Sequence, residues 1–135
     1  MTKEILLIDD DADELEVFAE ALRSVDKNIQ CSQAKDLNEA LEFLNYSSPA
    51  YIFIDYNMPK VNGLECVAEI KKIDKLEKSK IILYSNYISE EMNEKALSLG
   101  AYKCVKKPSM INVLIKNLKE ILNSNWPIFK EGSNI

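Results

Sequence analysis

The chain has 135 residues, 17 Lys plus Arg against 22 Asp plus Glu for a formal charge of 17 − 22 = −5, and no histidine. That length fits one domain around one core. The acidic balance, with no dense basic stripe, argues against direct nucleic-acid binding, and the missing histidine excludes a Cys/His zinc site and the commonest general base.

Five apolar runs alternate with five helical patterns. The runs are EILLI (4–8), IQCSQ (29–33), YIFID (51–55), KIILYS (80–85) and YKCVK (102–106). The first, third and fourth lack polar alternation, as strands covered on both faces do. Between them, Leu15, Phe18, Leu22 and Val25 mark a helix over 12–25. Asp36, with Glu39 three residues on, predicts a capped helix carrying Leu37, Ala40, Leu41 and Leu44. Leu64, Val67 and Ile70 mark a third helix reaching about residue 73. Lys-rich KKIDKLEKSK (71–80) reads as a solvated helix end and loop, since Asp74 and Glu77 interrupt it. Ser89 caps a fourth helix, with Met92, Ala96 and Leu99 on one stripe and Gly100 just past its end. Ser109 is expected to cap the last, where Ile111, Leu114, Ile115, Leu118, Ile121 and Leu122 repeat with helical period. Strand and helix alternating five times predict a doubly wound α/β domain over 1–122. Residues 123–135 read as a tail without an output domain. Its Trp126, Pro127, Ile128 and Phe129 suit either folding back over the domain or docking a partner.

No apolar run approaches the roughly 20 residues of a membrane span. Cys31, Cys66 and Cys104 are odd in number and widely spaced, which fits a reducing cytoplasm rather than a disulfide framework. Cys31 and Cys66 read as small buried residues.

In an open parallel sheet, ligands bind at the carboxyl ends of the strands. Those ends carry Asp9 and Asp10, then Asp55 followed by Tyr56, Asn57, Met58 and Pro59, then Ser85, then Lys107 followed by Pro108. Three gathered carboxylates are costly unless a cation joins them, and oxygen-only ligands suit Mg²⁺. A lysine and a hydroxyl beside them suit a phosphoryl group, whose transfer needs positioning and charge neutralisation. Asp11 and Asp13 read as acids of a helix N-terminus. Gly63 reads as a loop-geometry residue.

The ordered set LLIDD (6–10), DYNMPKVNG (55–63), Ser85, LGA (99–101) and KKP (106–108) resembles the receiver domain of two-component response regulators, the CheY-like superfamily, over residues 3–122. The resemblance implies a flavodoxin-like (βα)5 domain in three α/β/α layers with strand order 2-1-3-4-5. It implies Asp55 as phosphoacceptor, attacking a phosphohistidine of a histidine kinase or phosphotransfer protein. Asp10 and Asp55 would ligate Mg²⁺ directly, Asp9 through a bound water and Asn57 through its carbonyl. Lys107 would pair with Asp55 and then the phosphoryl group, pointed inward by a cis Lys107–Pro108 bond, and Ser85 would bind a phosphoryl oxygen. Output would pass by protein contact through the face of helix 4, strand 5 and helix 5, as monomer or homodimer. The DDDADE start and aromatic tail resemble stand-alone receivers that partner phytochromes.

One position departs from that family. Receivers usually carry Tyr or Phe three residues before the active lysine, where this chain has Cys104. Tyr102, two residues earlier, is a candidate substitute by strand period. Cys104 among Lys103, Lys106 and Lys107 is also a candidate redox-sensitive thiolate. The competing function is an unphosphorylated pseudo-receiver that scaffolds partners. An aspartate-nucleophile phosphohydrolase of the haloacid dehalogenase type needs its nucleophile at the first strand and usually a cap domain. A flavodoxin-type flavin site needs a Ser/Thr/Gly-rich phosphate loop after the first strand, which is lacking.

Overall fold

The computed structural model describes residues 3–123. The chain runs β1 (Lys3–Ile8), α1 (Ala12–Val25), β2 (Ile29–Ala34), α2 (Leu37–Leu44), β3 (Tyr51–Asp55), α3 (Gly63–Lys71), β4 (Lys80–Ser85), α4 (Glu90–Ser98), β5 (Lys103–Lys106) and α5 (Ile111–Asn123). All four strand pairings are parallel and the order is β2-β1-β3-β4-β5, the flavodoxin-like doubly wound sheet expected.

The apolar runs become buried strands, and their alternate side chains split into two cores. Ile5, Leu7, Tyr51, Phe53, Ile82 and Tyr84 meet α1 and α5 on one face. Leu6, Ile8, Ile52, Ile54, Ile81 and Leu83 face α2, α3 and α4 on the other. Phe18 meets Phe53 and Tyr84 edge-on at centroid distances of 4.9 and 5.6 Å, a favoured aromatic geometry.

Caps set where the helices start and stop, and so where the loops of the site lie. Asp11 caps α1 by accepting from Asp13 N–H, and Ser89 caps α4 by accepting from Met92 N–H. Asp36 caps α2, while the Glu39 carboxylate turns back to the N–H of Lys35. Gly100 ends α4 at φ +111°, with Gly100 N–H to Leu97 and Ala101 N–H to Ala96, a complete Schellman motif.

Three local expectations are corrected. The 71–80 stretch is not all solvated loop: a 3-10 turn at Asp74–Leu76 buries Leu76. α5 begins one residue late for a Ser109 cap, because the Leu114 N–H bonds to the Met110 carbonyl. Gly63 serves packing rather than an unusual φ. A Cβ there would lie 2.8 Å from Leu83 Cδ1 and Tyr56 Cα and 2.9 Å from the Asp55 carbonyl oxygen. Gly63→Ala should therefore push the β3 end outward and cost about 1–3 kcal/mol. Urea denaturation checks this, and a cost near zero would show that the loop yields freely. The tail with Trp126 to Phe129 lies outside the described residues.

Candidate functional site

Four strand ends meet at one edge of the sheet. β1 delivers Asp9 and Asp10, β3 delivers Asp55, β4 delivers Ser85, and Lys107 follows β5 directly. The Lys107 N–H donates to the Ser85 carbonyl oxygen at 2.8 Å, so the β5 exit is tied to the β4 end. Gln33 Nε2, from β2, donates to the carbonyl oxygens of Asp9 (2.7 Å) and Asp11 (3.1 Å), pinning the acidic loop from the other side.

Lys107 is the hub. Its Nζ lies 3.0 Å from Asp55 Oδ1, 3.3 Å from Asp9 Oδ2 and 2.9 Å from Glu14 Oε1. The side chains of Lys107, Asp55 and Asp9 are only 9%, 8% and 2% exposed, whereas Glu14 is 35% exposed. The ammonium also stands 5.3 Å from the centroid of the Tyr84 ring. Burial alone would lower the Lys107 pKa. Its bonds to Glu14 and Asp55, with Asp9 adding charge, outweigh that and raise it, so the amine stays protonated.

Asp9, Asp10 and Asp55 each place a carboxylate oxygen within 4.8 Å of the others. An ion bonded at about 2.1 Å spans at most about 4.2 Å between two direct ligands, so the residues present would fit one Mg²⁺ with small side-chain turns or a bound water. Burial raises the Asp9 carboxyl to about 6. The Asp11 N–H and Lys107 oppose this, while Asp55 and Glu14 add to it. Asp55 is raised as well, by burial first, against Lys107 and the Asn57 N–H. Burial thus disfavours the charged form of both carboxylates, a cost that a cation between them would offset.

A carboxyl whose folded pKa lies above its unfolded value of 3.8 costs stability once ionised. The Asp9 contribution to stability should then be fully present below about pH 4 and be lost as pH rises through about 6. In metal-free buffer the Asp9 contribution should leave the domain about 1 kcal/mol weaker at about pH 7 than at about pH 5. Saturating Mg²⁺ should recover the loss, and Mg²⁺ affinity should weaken toward about pH 5 because protons compete for the ligands. Denaturation at both pH values with and without Mg²⁺ checks it. A neutral-pH midpoint indifferent to Mg²⁺ would remove the cation from the site.

Ser85 is buried, and its hydroxyl donates to the Tyr87 carbonyl oxygen at 3.0 Å while accepting the Tyr87 N–H at 3.3 Å. Asn57 is exposed beside Asp55. The structure thus brings Asp9, Asp10, Asp55, Ser85 and Lys107 to one edge. Glu14 is the charged member that the sequence reading missed. As a first-turn acid of α1 it resembles Asp13, and only the approach of α1 to the β5 exit distinguishes the two.

Three expectations do not survive. The Lys107–Pro108 bond is trans, and the ammonium reaches all three carboxylates from that geometry. Tyr102 precedes β5 opposite Ile81, far from the Ser85–Lys106 end, and its ring takes the Lys80 ammonium at 4.2 Å. It does not stand in for the family's aromatic. Cys104 packs half-buried against the α2–α4 core, and burial raises its thiol pKa, the reverse of an activated thiolate. Cys66 is buried and Cys31 half-buried, both raised by burial to about 11.

A family model described as the response regulator receiver domain matches residues 5–119. A protein-glutamate methylesterase/protein-glutamine glutaminase of Methanococcoides burtonii is 32% identical over 134 residues, covering 93% of this chain but only 37% of that protein. The chain thus spans about a third of the length of that curated relative. The phosphorylated cyanobacterial phytochrome response regulator RcpA superposes with a TM-score of 0.80 at 26% identity, over 93% of this chain and 94% of that one. The chemotaxis response regulator CheY4 of Vibrio cholerae shares the fold at a TM-score of 0.79 and 24% identity, over 90% and 100% of the two chains. No helix among the described residues is long and apolar enough to cross a membrane. Since the family match runs from β1 into α5 and takes in every strand end that lines the acidic edge, this chain belongs to the response regulator receiver domain family.

Proposed function

We propose that residues 1–122 accept a phosphoryl group on Asp55 from a phosphohistidine of a histidine kinase or phosphotransfer protein. The signal then passes by protein contact, in the cytoplasm. The observation that carries this reading is the buried Lys107 ammonium shared between Asp55 and Asp9, beside a carboxylate trio of cation-holding size.

Asp55 Oδ attacks phosphorus, the phosphorus–nitrogen bond to the donor imidazole breaks, and an acyl phosphate forms. Asp10 and Asp55, with the Asn57 carbonyl and Asp9 through water, would hold Mg²⁺, which neutralises charge on the phosphoryl oxygens. Lys107 follows the new charge from the carboxylate to the phosphoryl oxygens. A hydroxyl has one proton to donate, so Ser85 must release the Tyr87 carbonyl to bind a phosphoryl oxygen. That release is the step that moves the β4–α4 loop. Contact with a target, or with a second copy, uses the α4–β5–α5 face, where Leu97, Tyr102, Met110 and Val113 are exposed.

The test is intact mass after incubation with acetyl phosphate, with and without Mg²⁺. One adduct that needs Mg²⁺ supports the reading. A second reading, a scaffold that is never phosphorylated, draws on Cys104 at the ring position and on Tyr102 at the wrong end of β5. It gains if no adduct forms and beryllofluoride also fails to bind.

A further inference from the structure

We infer that Glu14 is a positioning residue that holds the Lys107 ammonium from α1 and competes with the incoming phosphoryl group for it. The inference rests on the phosphoacceptor reading for its kinetic half only.

The geometry is specific. The Lys107 ammonium has three N–H donors and faces three carboxylates, of which Glu14 is the nearest at 2.9 Å. Asp9 and Asp55 come from strand ends and are nearly sealed from water, while Glu14 reaches in from the first turn of a helix and stays one-third exposed. Asp9 also accepts the Asp11 N–H at 3.0 Å, so it is held by its own loop. Glu14 has no such second partner among its described contacts, which leaves it free to withdraw to water when the ammonium leaves.

The charges give the direction of the effect. Asp9, Asp10, Asp55 and Glu14 set four negative charges against the one positive charge of Lys107. The site is therefore at −3 alone and −1 with a divalent cation, and it must then admit a dianionic donor group. With Glu14 neutral the loaded site would be uncharged toward that donor. Glu14 thus slows phosphorylation twice, by repelling the donor and by occupying a proton of the lysine that the phosphoryl group needs. Once the phosphoryl group takes the lysine, the first turn of α1 loses its tie to the β5 exit. The state of Asp55 then reaches α1 without an aromatic switch residue, at a position where this chain has Cys104 instead.

The test uses Glu14→Gln and Glu14→Asp in the intact chain. The first readout needs neither Mg²⁺ nor phosphate: exchange of the Lys107 ammonium protons with water, followed by nitrogen-detected NMR. It should be several-fold faster in Glu14→Gln than in the wild type. The second is the rate of phosphorylation by acetyl phosphate at low salt. It should rise on the order of threefold to tenfold in Glu14→Gln, through the concentration dependence on donor, and the gain should shrink as salt screens the site. Glu14→Asp keeps the charge and should return the rate toward wild type, which a merely structural role would not require. Unchanged exchange in Glu14→Gln would show that Asp9 and Asp55 hold the ammonium alone and overturn the inference. Faster exchange with an unchanged phosphorylation rate would overturn the competition. A wild-type chain that takes no phosphoryl group at all would defeat the phosphoacceptor reading instead, and the exchange readout would still decide whether Glu14 holds Lys107.

Discussion

The Asp55→Asn chain should take up no phosphoryl group from acetyl phosphate and Mg²⁺ under conditions where the wild type is expected to take up one. The amide keeps the shape of the carboxylate but lacks the anionic oxygen proposed to attack phosphorus, so the loss should be complete rather than graded. The fold should persist. Asp55 is a buried carboxyl whose ionisation is disfavoured, and Lys107 keeps Asp9 and Glu14 as partners after the change. Stability at about pH 7 in metal-free buffer should not fall, because the change removes a buried carboxyl whose ionisation is disfavoured. Intact mass gives the stoichiometry, and urea denaturation shows that the variant is folded. A single adduct of undiminished yield in Asp55→Asn would place the acceptor elsewhere and end the assignment.

Lys107→Met should have the largest effect on stability. Methionine keeps most of the volume but removes the only cation within reach of Asp9 and Asp55 among the described contacts. Two carboxylates at 2% and 8% exposure would then face each other without an opposing charge, while Glu14 turns out to water. Breaking a buried pair this way costs about 3 kcal/mol or more. The loss should be greatest in metal-free buffer at about pH 7 and smaller at about pH 5, where protonation relieves the pair. Mg²⁺ should still bind, because its oxygen ligands are untouched, and should restore much of the stability. The response to phosphorylation should be impaired, since no ammonium remains to follow the charge to the phosphoryl group. Denaturation midpoints across the two pH values and two metal conditions decide the matter. Equal midpoints for variant and wild type would show that the cluster does not depend on the lysine.

Much of the site lay open in the sequence because parallel strands advertise their ends. An unbroken apolar run that stops at Asp9, Asp55 or Ser85 marks both the strand and the residue placed at the sheet edge. Helix starts were legible for a similar reason: Asp36 and Ser89 cap through bonds that reach only three residues along the chain. Ser109 misled because a good capping residue can stand one position outside the turn that tertiary packing selects. Gly63 was placed correctly but for the wrong cause, since the Leu83 and Tyr56 atoms that leave no room for a Cβ come from other elements.

Local residue patterns specify the alternation of strands and helices, the acidic and basic residues at the strand ends and the family resemblance, because period, capping and turn chemistry repeat within a few residues. Packing between elements settles which charges share the ammonium, for Lys107 meets Asp9 across 98 positions of chain and Glu14 on a helix that the sequence shows only as acidic. It also settles that Tyr102 lies at the far end of β5 and that Cys104 is shielded rather than activated. Those outcomes depend on strand register and on the approach of α1 to the β5 exit, and the free energy that sets them is burial and charge shared between elements, which no single segment contains.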